Sequence, residues 1–291
     1  MSPTPTDELI QRPIGVFDSG VGGLTVAKAI HQALPHEKIL YVGDTARVPY
    51  GTKSKDAIQQ YTREILTKMD AAEVKAIVVA CNTVSALAHD VLEERKHVIP
   101  MIDVLTAGVE ATIEHLYPHK QGKSIPTVGV LGTAATISSN AYEFHLTQRW
   151  PELQVRSQAC PLLVPLAEEG WDGQSDVVRR TLEVYLEPLQ THSLDAVILG
   201  CTHYPLFRDA IEAQLSSSPM IVDSGEAVAE SLRAQLQKHG LERLESTSAS
   251  SSVPSTDWLV CWVTDRPDHV QGLAERILGE PITQVSHITL G

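Results

Sequence analysis

The chain has 291 residues, of which 43% are hydrophobic and 20% charged, so it can bury the core of about two ordinary domains and is not disordered. Its 23 Lys and Arg against 36 Asp and Glu give a net charge of -13, which argues against nucleic acid or an anionic membrane as the main partner. No apolar run approaches the ~20 residues of a membrane helix. Met1–Arg12 also lacks the pattern of a secretory signal, so we expect a cytoplasmic protein.

Short runs rich in Val, Ile and Leu alternate with longer amphipathic stretches. The predicted strands are Ile14–Asp18, Ile39–Asp44, Ala76–Cys81, Ile99–Val104, Val128–Thr133, Val155–Cys160, Ala196–Cys201, Met220–Asp223 and Trp258–Val263. The predicted helices are Leu24–Leu34, Ser54–Met69, Val84–Arg95, Val177–Leu189, Glu226–His239 and His269–Leu278. Near-continuous apolar strands that alternate with helices are typical of parallel sheets covered on both faces, so the predicted fold class is α/β.

The chain also partly repeats itself. Three stretches of the first half each resemble a stretch of the second half, in the same order: Ile14–Ser19 and Val128–Thr133, Val48–Tyr50 and Val164–Leu166, Lys75–Thr83 and Asp195–His203. This order indicates two similar α/β halves. Ligands of open parallel sheets bind outside the carboxyl ends of the strands. If the two halves face each other with these edges together, Cys81 and Cys201 lie across one cleft.

A single low-complexity stretch lies near the end of the chain. Ser246–Thr256 consists mostly of Ser with Thr and Pro. Such a composition predicts a flexible loop or a hairpin connection rather than a packed element.

The glycine-rich stretch Asp18–Thr25 follows a predicted strand and opens a helix, where backbone N–H groups can receive an anion. It departs from a dinucleotide fingerprint, because Thr25 stands where the motif requires Gly or Ala. Asp44 could imitate the ribose-binding acid, so this alternative stays open. The stretch also lacks the Gly-Lys-Ser/Thr ending of a P-loop. We interpret it as a turn that binds a carboxylate; a purely structural tight turn is the alternative.

The four cysteines are Cys81, Cys160, Cys201 and Cys261, and none forms a C-x-x-C pair. We therefore expect free thiols in a reducing compartment. Cys81 and Cys201 each stand between a buried strand and a helix N-terminus, whose dipole favours the thiolate. A lone buried cysteine is usually inert, but two at equivalent positions of repeated halves indicate a function. Cys160, followed by Pro161, and Cys261, inside a strand, are interpreted as structural.

Two equivalent thiols suit a symmetric reaction, in which a proton leaves one face of a carbon and another arrives on the opposite face. A nucleophilic Cys201 with His203 as its base is the alternative. Further ionisable candidates are Asp18 and Asp44 at strand ends and the pair Glu168 and Glu169. These acids could orient a thiol, accept a substrate ammonium group or relay protons; a solvated helix end is the alternative for the two glutamates.

His115 and His119 have the i, i+4 spacing of metal ligands on a helix. Pro118 between them predicts a helix break, and no second cluster supplies further ligands. We therefore predict no metal site.

Taken together, these motifs resemble those of the glutamate racemase family. The matching stretches are Ile14–Val26, Tyr41–Lys53, Val79–Thr83 and Leu199–Pro205, and the resemblance extends from about Ile14 to Leu232. It implies a cofactor-independent interconversion of L- and D-glutamate that supplies D-glutamate for peptidoglycan. The expected ligand is L- or D-glutamate, and we expect neither nucleic acid nor a membrane as a partner and no bound metal. Dimers are common in the family, so a homodimer is expected.

The resemblance also implies roles for individual residues. Cys81 would deprotonate D-glutamate with assistance from Asp18, and Cys201 would deprotonate L-glutamate with assistance from His203. Asp44 would support the first side and Glu168, or its neighbour Glu169, the second. The substrate-binding residues would be Asp18, Ser19, Tyr50, Gly51, Asn82, Thr83, Thr202 and His203.

The implied fold consists of two pseudo-symmetric, doubly wound parallel-sheet domains with the active site at their interface. The expected first domain is discontinuous, with residues 1–103 and 207–291 and the Ser-rich insertion near 246–256, and the second comprises residues 104–206. Three other functions remain open from the residues: a racemase of another acidic substrate such as aspartate, a non-catalytic binding protein, and a nucleotide-binding oxidoreductase.

Overall fold

The structure, a computed structural model, describes residues 6–95, 98–120, 124–244 and 256–291. No helix within these ranges is both long and apolar enough to cross a bilayer. The predicted loop 246–256 lies outside the described residues except for Thr256, which begins a short 3-10 turn.

The strands of the described ranges are all parallel to their neighbours. They are β1 (Ile14–Asp18), β2 (Ile39–Gly43), β3 (Ala76–Val79), β4 (Met101–Asp103), β5 (Thr127–Gly132), β6 (Gln154–Ala159), β7 (Ala196–Gly200), β8 (Met220–Asp223), β9 (Leu259–Val263) and β10 (Val285–His287). Every residue of the central strands β1 and β7 is buried, which explains why their sequences are almost continuously apolar.

The helices cover these sheets and connect the strands. They are α1 (Asp7–Gln11), α2 (Leu24–Ala33), α3 (Lys55–Ala71), α4 (Asn82–Leu87), α5 (His89–Glu93), α6 (Val104–Lys120), α7 (Ala134–Ser138), α8 (Ala141–Arg149), α9 (Leu163–Glu168), α10 (Asp176–Leu186), α11 (Arg208–Gln214), α12 (Ser224–His239) and α13 (Pro267–Leu278). Shorter 3-10 turns are Tyr50–Thr52, Glu187–Leu189, Tyr204–Phe207 and Thr256–Trp258.

Two sheets form the fold, and both contain the same arrangement of four strands. The first has the order β10-β9-β2-β1-β3-β4 and the second the order β6-β5-β7-β8. The run β2-β1-β3-β4 and the run β6-β5-β7-β8 are therefore one arrangement used twice, so the α/β class and the pseudo-symmetric halves predicted from the repeat are confirmed. The strands β9 and β10 extend only the first sheet.

Several elements differ from their predictions. The predicted helix Val84–Arg95 is interrupted at Ala88, whose φ of -109° and ψ of 19° separate α4 from α5. The predicted break at Pro118 is wrong, because α6 continues to Lys120. Packing explains this continuation: Leu116 is 3% exposed in the core beneath the second sheet, and Tyr117 contacts Trp150 with ring centroids 5.2 Å apart.

The helix that follows the fourth strand of each half packs on the opposite half. Helix α6 follows β4 and contributes to the core of the second sheet, whereas α12 follows β8 and contributes to the core of the first. We propose that the second domain extends over residues 104–223. The predicted return at residue 207 had assigned Met220–Asp223 to the first domain, but this strand pairs with β7. A four-residue apolar run does not identify its partner strand, so the sequence carried no signal for this assignment.

A buried ion pair connects distant parts of the first half. Lys75 Nζ, just before β3, lies 2.6 Å from Glu37 Oε2, and the two side chains are 0% and 1% exposed, although the contact lacks the angle of a hydrogen bond. Lys75 Nζ also donates to the carbonyl oxygens of Ile10 and Leu241, each at 2.8 Å. Glu37 Oε1 accepts from the Arg243 N–H. The pair therefore holds the segment after α12 against the amino-terminal edge of the first sheet.

Replacing Lys75 by Met leaves Glu37 as an uncompensated buried charge, so the free energy of unfolding should fall by about 3–5 kcal/mol. The double variant Glu37→Gln/Lys75→Met removes both charges and should lose less. Urea denaturation followed by circular dichroism measures both effects. Unfolding of Lys75→Met at the wild-type urea concentration would contradict this assignment.

Candidate active site

The loops at the carboxyl ends of both sheets enclose one small cleft. Its lining residues come from the segments that follow β1, β2, β3, β5, β6 and β7: Ser19, Val48, Pro49, Gly51, Cys81, Asn82, Thr83, Thr133, Val164, Cys201, Thr202 and His203. The space between these residues, including its opening to solvent, is about 340 Å³. A molecule of amino-acid size fits this cleft better than a dinucleotide does.

The cleft contains Cys81 and Cys201, as predicted from the repeat. Cys81 follows β3 and precedes α4, Cys201 follows β7, and they are 4% and 6% exposed. Burial and the negative charge of Asp18 raise the pKa of Cys81 to about 12, although the Val84 N–H and the Ser19 hydroxyl donate to its sulfur. The helix N-terminus favours the thiolate of Cys81, as predicted from the sequence, but desolvation outweighs the effect of this six-residue helix.

Cys201 has a different set of neighbours. Its Sγ lies 3.9 Å from His203 Nδ1, and His203 Nε2 lies 3.3 Å from Glu168 Oε1, an ion-pair distance without the angle of a hydrogen bond. Burial disfavours the charged imidazole, but Cys201 and Glu168 together hold the pKa of His203 at about 10. Glu168 rather than the exposed Glu169 makes this contact.

The glycine turn after β1 binds the carboxylate of Asp18, a residue of the turn itself, and not an external ligand. Asp18 Oδ2 accepts hydrogen bonds from the N–H groups of Gly20 at 3.2 Å and Gly23 at 3.0 Å. Asp18 Oδ1 is buried and accepts no hydrogen bond from any residue that the structure describes. The N–H groups of the turn are therefore already bonded to Asp18, which argues against a dinucleotide phosphate there. The second oxygen of Asp18 remains an acceptor near Cys81.

Asp44 is absent from the described residues that line the cleft. It is fully buried, its Oδ2 accepts from the Tyr50 hydroxyl and from Arg47 Nε, and its Oδ1 accepts from Thr264 Oγ1 at 2.9 Å. Burial and the charge of Asp44 raise the pKa of Tyr50. The Tyr50 side chain thus contacts Asp44, while its neighbours Pro49 and Gly51 line the cleft. Asp44 therefore contacts the loop that lines the cleft and not the cleft itself.

Hydrogen bonds cross the cleft between the two halves. Thr83 Oγ1 lies 3.1 Å from Thr133 Oγ1 and 3.2 Å from Thr136 Oγ1, and Thr25 Oγ1 donates to the Thr202 carbonyl at 3.1 Å. A Cβ atom on Gly51 would lie 2.7 Å from Thr133 Cβ, so only glycine permits this approach. The structure therefore shows the halves in a closed arrangement.

Thr133, Val48, Pro49 and Val164 line the cleft but were not predicted as site residues. The repeat contained a signal for three of them. Thr133 occupies the position of Ser19, and Val48 and Val164 occupy equivalent positions in the two matched stretches. Neither a threonine nor a valine carries the titratable group that identifies a catalytic residue, so their chemistry does not single them out.

The two cysteines interpreted as structural lie in the cores. Cys160 and Cys261 are both 0% exposed, belong to the cores of the second and first sheet respectively, and do not line the cleft. Burial raises the pKa of each to about 12. Within the described ranges, no three His, Cys, Asp or Glu side chains cluster as ligands of a metal ion.

Comparison with known proteins extends the resemblance. Residues 14–232 match the model of the family described as Asp/Glu/Hydantoin racemase. A glutamate racemase from Chlorobaculum parvum is 44% identical over 94% of this chain and 94% of its own length.

Two solved structures have the same fold over almost the whole chain. The crystal structure of glutamate racemase from Francisella tularensis in complex with D-glutamate aligns with a TM-score of 0.84 and 35% identity, covering 96% of this chain and 98% of that one. A glutamate racemase isoform from Bacillus anthracis aligns with a TM-score of 0.84 and 36% identity over the same shares. The chain therefore belongs to the Asp/Glu/hydantoin racemase family and, within it, to the glutamate racemases, which are isomerases.

Proposed function

We propose that this chain interconverts L- and D-glutamate without a cofactor, with Cys81 and Cys201 as acid and base on opposite faces of the α-carbon. The observation that carries the proposal is the pair of thiols at equivalent strand ends, which line one small cleft. A symmetric pair of proton carriers suits a reaction whose substrate and product are mirror images.

The surroundings of the two thiols support different protonation states. A charged His203, whose pKa is about 10, lies 3.9 Å from Cys201 Sγ, whereas burial keeps Cys81 as a thiol with a pKa of about 12. We propose that the reacting state has a thiol at Cys81 and a thiolate at Cys201 beside the charged imidazole. This protonation state can react with L-glutamate. Cys201 takes the α-proton, the electron pair of the C–H bond remains on carbon, and Cys81 delivers its proton to the other face. The product is D-glutamate, with a thiolate at Cys81 and a thiol at Cys201, which is the state that reacts in the reverse direction.

The other lining residues are suited to an amino acid with two carboxylates. The side chains of Ser19, Asn82, Thr83 and Thr202 and the backbone at Gly51 offer compact hydrogen-bond donors without the bulk of a basic residue. We propose that these donors bind the two carboxylates and that Asp18 assists Cys81. Oriented donors in a dry cleft stabilise charge that develops next to the α-carboxylate, which compensates for the weak acidity of the α-proton.

Glutamate can reach this site only if the halves move apart. Both thiols are almost completely buried, and hydrogen bonds close the cleft from both sides. We propose that opening admits the substrate and that closure excludes water before proton transfer.

The cellular role follows from the product. We propose that the protein works in the cytoplasm as a homodimer and supplies D-glutamate for peptidoglycan. Its similarity to glutamate racemases, one of them solved with D-glutamate, supports this role.

Single cysteine variants test the assignment of the faces in D₂O. Cys81→Ala should lose racemisation by roughly 10²–10⁴-fold but still exchange the α-proton of L-glutamate with retention, because Cys201 remains. Cys201→Ala should lose racemisation to a similar extent but still exchange the α-proton of D-glutamate with retention, because Cys81 remains. Chiral chromatography and α-proton NMR measure both properties, and Cys261→Ala, which removes a distant buried thiol, should retain racemisation.

Racemisation by either single variant near the wild-type rate would contradict the two-cysteine mechanism. Faster exchange of aspartate than of glutamate by the wild type would instead indicate a racemase of a shorter substrate. Glutamate binding without exchange would indicate a binding protein.

Titration of His203 tests the charge pair. In histidine-labelled protein without ligand, NMR should give His203 a pKa of about 10, far above the ~6.5 of an unperturbed histidine. Because this pKa is raised by folding, the resulting stabilisation is complete below about pH 6.5 and is lost as pH rises through about 10. Glu168→Gln should lower the pKa of His203, because burial is then opposed only by Cys201 and the charge of Asp18.

The matched control is Glu169→Gln, which removes the neighbouring exposed carboxylate and should leave the His203 titration unchanged. An equal shift in both variants, or titration of wild-type His203 near pH 6.5, would show that the Cys201–His203–Glu168 pairing does not exist in solution.

A further inference from the structure

Tyr142 lies in the second half behind a residue that lines the cleft, and it belongs to none of the matched motifs. It lies on α8 and is 2% exposed. Its hydroxyl donates a hydrogen bond of 2.6 Å to Asn82 Oδ1. Asn82 belongs to the first half, follows Cys81 directly and lines the cleft. This bond therefore connects the two halves at the residue next to one thiol.

The ring of Tyr142 lies against the other thiol-bearing loop. A Cβ atom on Gly200 would lie 3.1 Å from Tyr142 Cε2 and 3.6 Å from its Cζ. Gly200 ends β7 and directly precedes Cys201. One side chain thus contacts both strand ends that carry a thiol, through its hydroxyl on one side and its ring on the other.

Tyr142 also interacts with Asp103 and Ser224, which lie where the chain passes from one half to the other, at the starts of α6 and α12. Burial raises the pKa of Tyr142, the Ser224 hydroxyl opposes this, and the charge of Asp103 raises it further, so the phenol remains protonated at neutral pH. Asp103 precedes α6 and accepts from the Thr106 N–H, and Ser224 is the first residue of α12. Ser224 Oγ is buried and makes no hydrogen bond of normal geometry within the described residues.

We propose that Tyr142 is a positioning residue of the racemisation, which fixes the Asn82 amide in the closed cleft and sets the position of the Cys201 loop relative to Cys81. This inference rests on the proposed function. With Asn82 Oδ1 held by the Tyr142 hydroxyl, the NH₂ group is directed toward the cleft, where it can donate to a substrate carboxylate. Without that bond the amide can rotate and present its oxygen to the carboxylate, which repels it.

Tyr142→Phe removes the hydroxyl and keeps the ring, so it separates positioning from packing. We expect a higher KM for both enantiomers and a kcat/KM lower by roughly 10- to 100-fold, the loss that a small misplacement of a binding group produces. The decrease must be equal for L- and D-glutamate, because enantiomers have equal free energies in water. The matched control is Tyr185→Phe, which removes a hydroxyl that accepts a hydrogen bond from the Leu162 N–H outside the cleft and should leave kcat/KM unchanged.

A double-mutant cycle shows whether Tyr142 acts through Asn82. Asn82→Ala and the double variant Asn82→Ala/Tyr142→Phe should have the same kcat/KM, because the hydroxyl has no amide left to hold. Independent, multiplying losses would overturn the inference, as would an unchanged kcat/KM in Tyr142→Phe.

A D-glutamate titration by calorimetry separates this inference from the proposed function. If the wild type binds D-glutamate but does not racemise it, the proposed function fails. Weaker D-glutamate binding by Tyr142→Phe than by the wild type would still support the role of Tyr142 in holding Asn82. Equal binding by the two proteins would overturn it.

Discussion

The parallel pairing of the strands is the constraint on which the site depends. Because β1 to β4 run in one direction, their carboxyl ends open at one edge of the first sheet, and those of β5 to β8 open at one edge of the second. The exchanged helices α6 and α12 join the two halves so that these edges meet. Residues at equivalent strand ends therefore line the same cleft, as Cys81 and Cys201 do and as Ser19 and Thr133 do.

The backbone is nearly symmetric, but the charges around the thiols are not. Cys201 has the His203–Glu168 pair beside it, whereas Cys81 has the carboxylate of Asp18 and a thiol pKa raised to about 12. In the proposed two-base mechanism one thiol holds a proton while the other accepts one, and these unequal surroundings favour the proton on Cys81. The protein's net charge of -13 does not prevent binding of an amino acid with two carboxylates, because the cleft presents neutral donors and the charged His203.

The sequence predicted local features well and long-range contacts poorly. The bounds of β1 were predicted correctly because an apolar run ends there at Asp18 and a glycine turn. The three-residue β10 was missed because so short and exposed a strand has no periodicity. The cleft positions of the two thiols followed from the repeat. The contact of Asp44 with Tyr50 and that of Tyr142 with Asn82 did not, because each depends on tertiary packing that no motif records.

The isotope content of the first product molecules tests the opposed thiols most directly. Wild-type enzyme is given protiated L-glutamate in D₂O, and both enantiomers are recovered after a small fraction of one conversion. Two bases on opposite faces predict D-glutamate that carries deuterium at the α-carbon, while the remaining L-glutamate retains its original proton. D-glutamate that carries the substrate's own α-proton would show that a single base serves both faces, which would contradict the account.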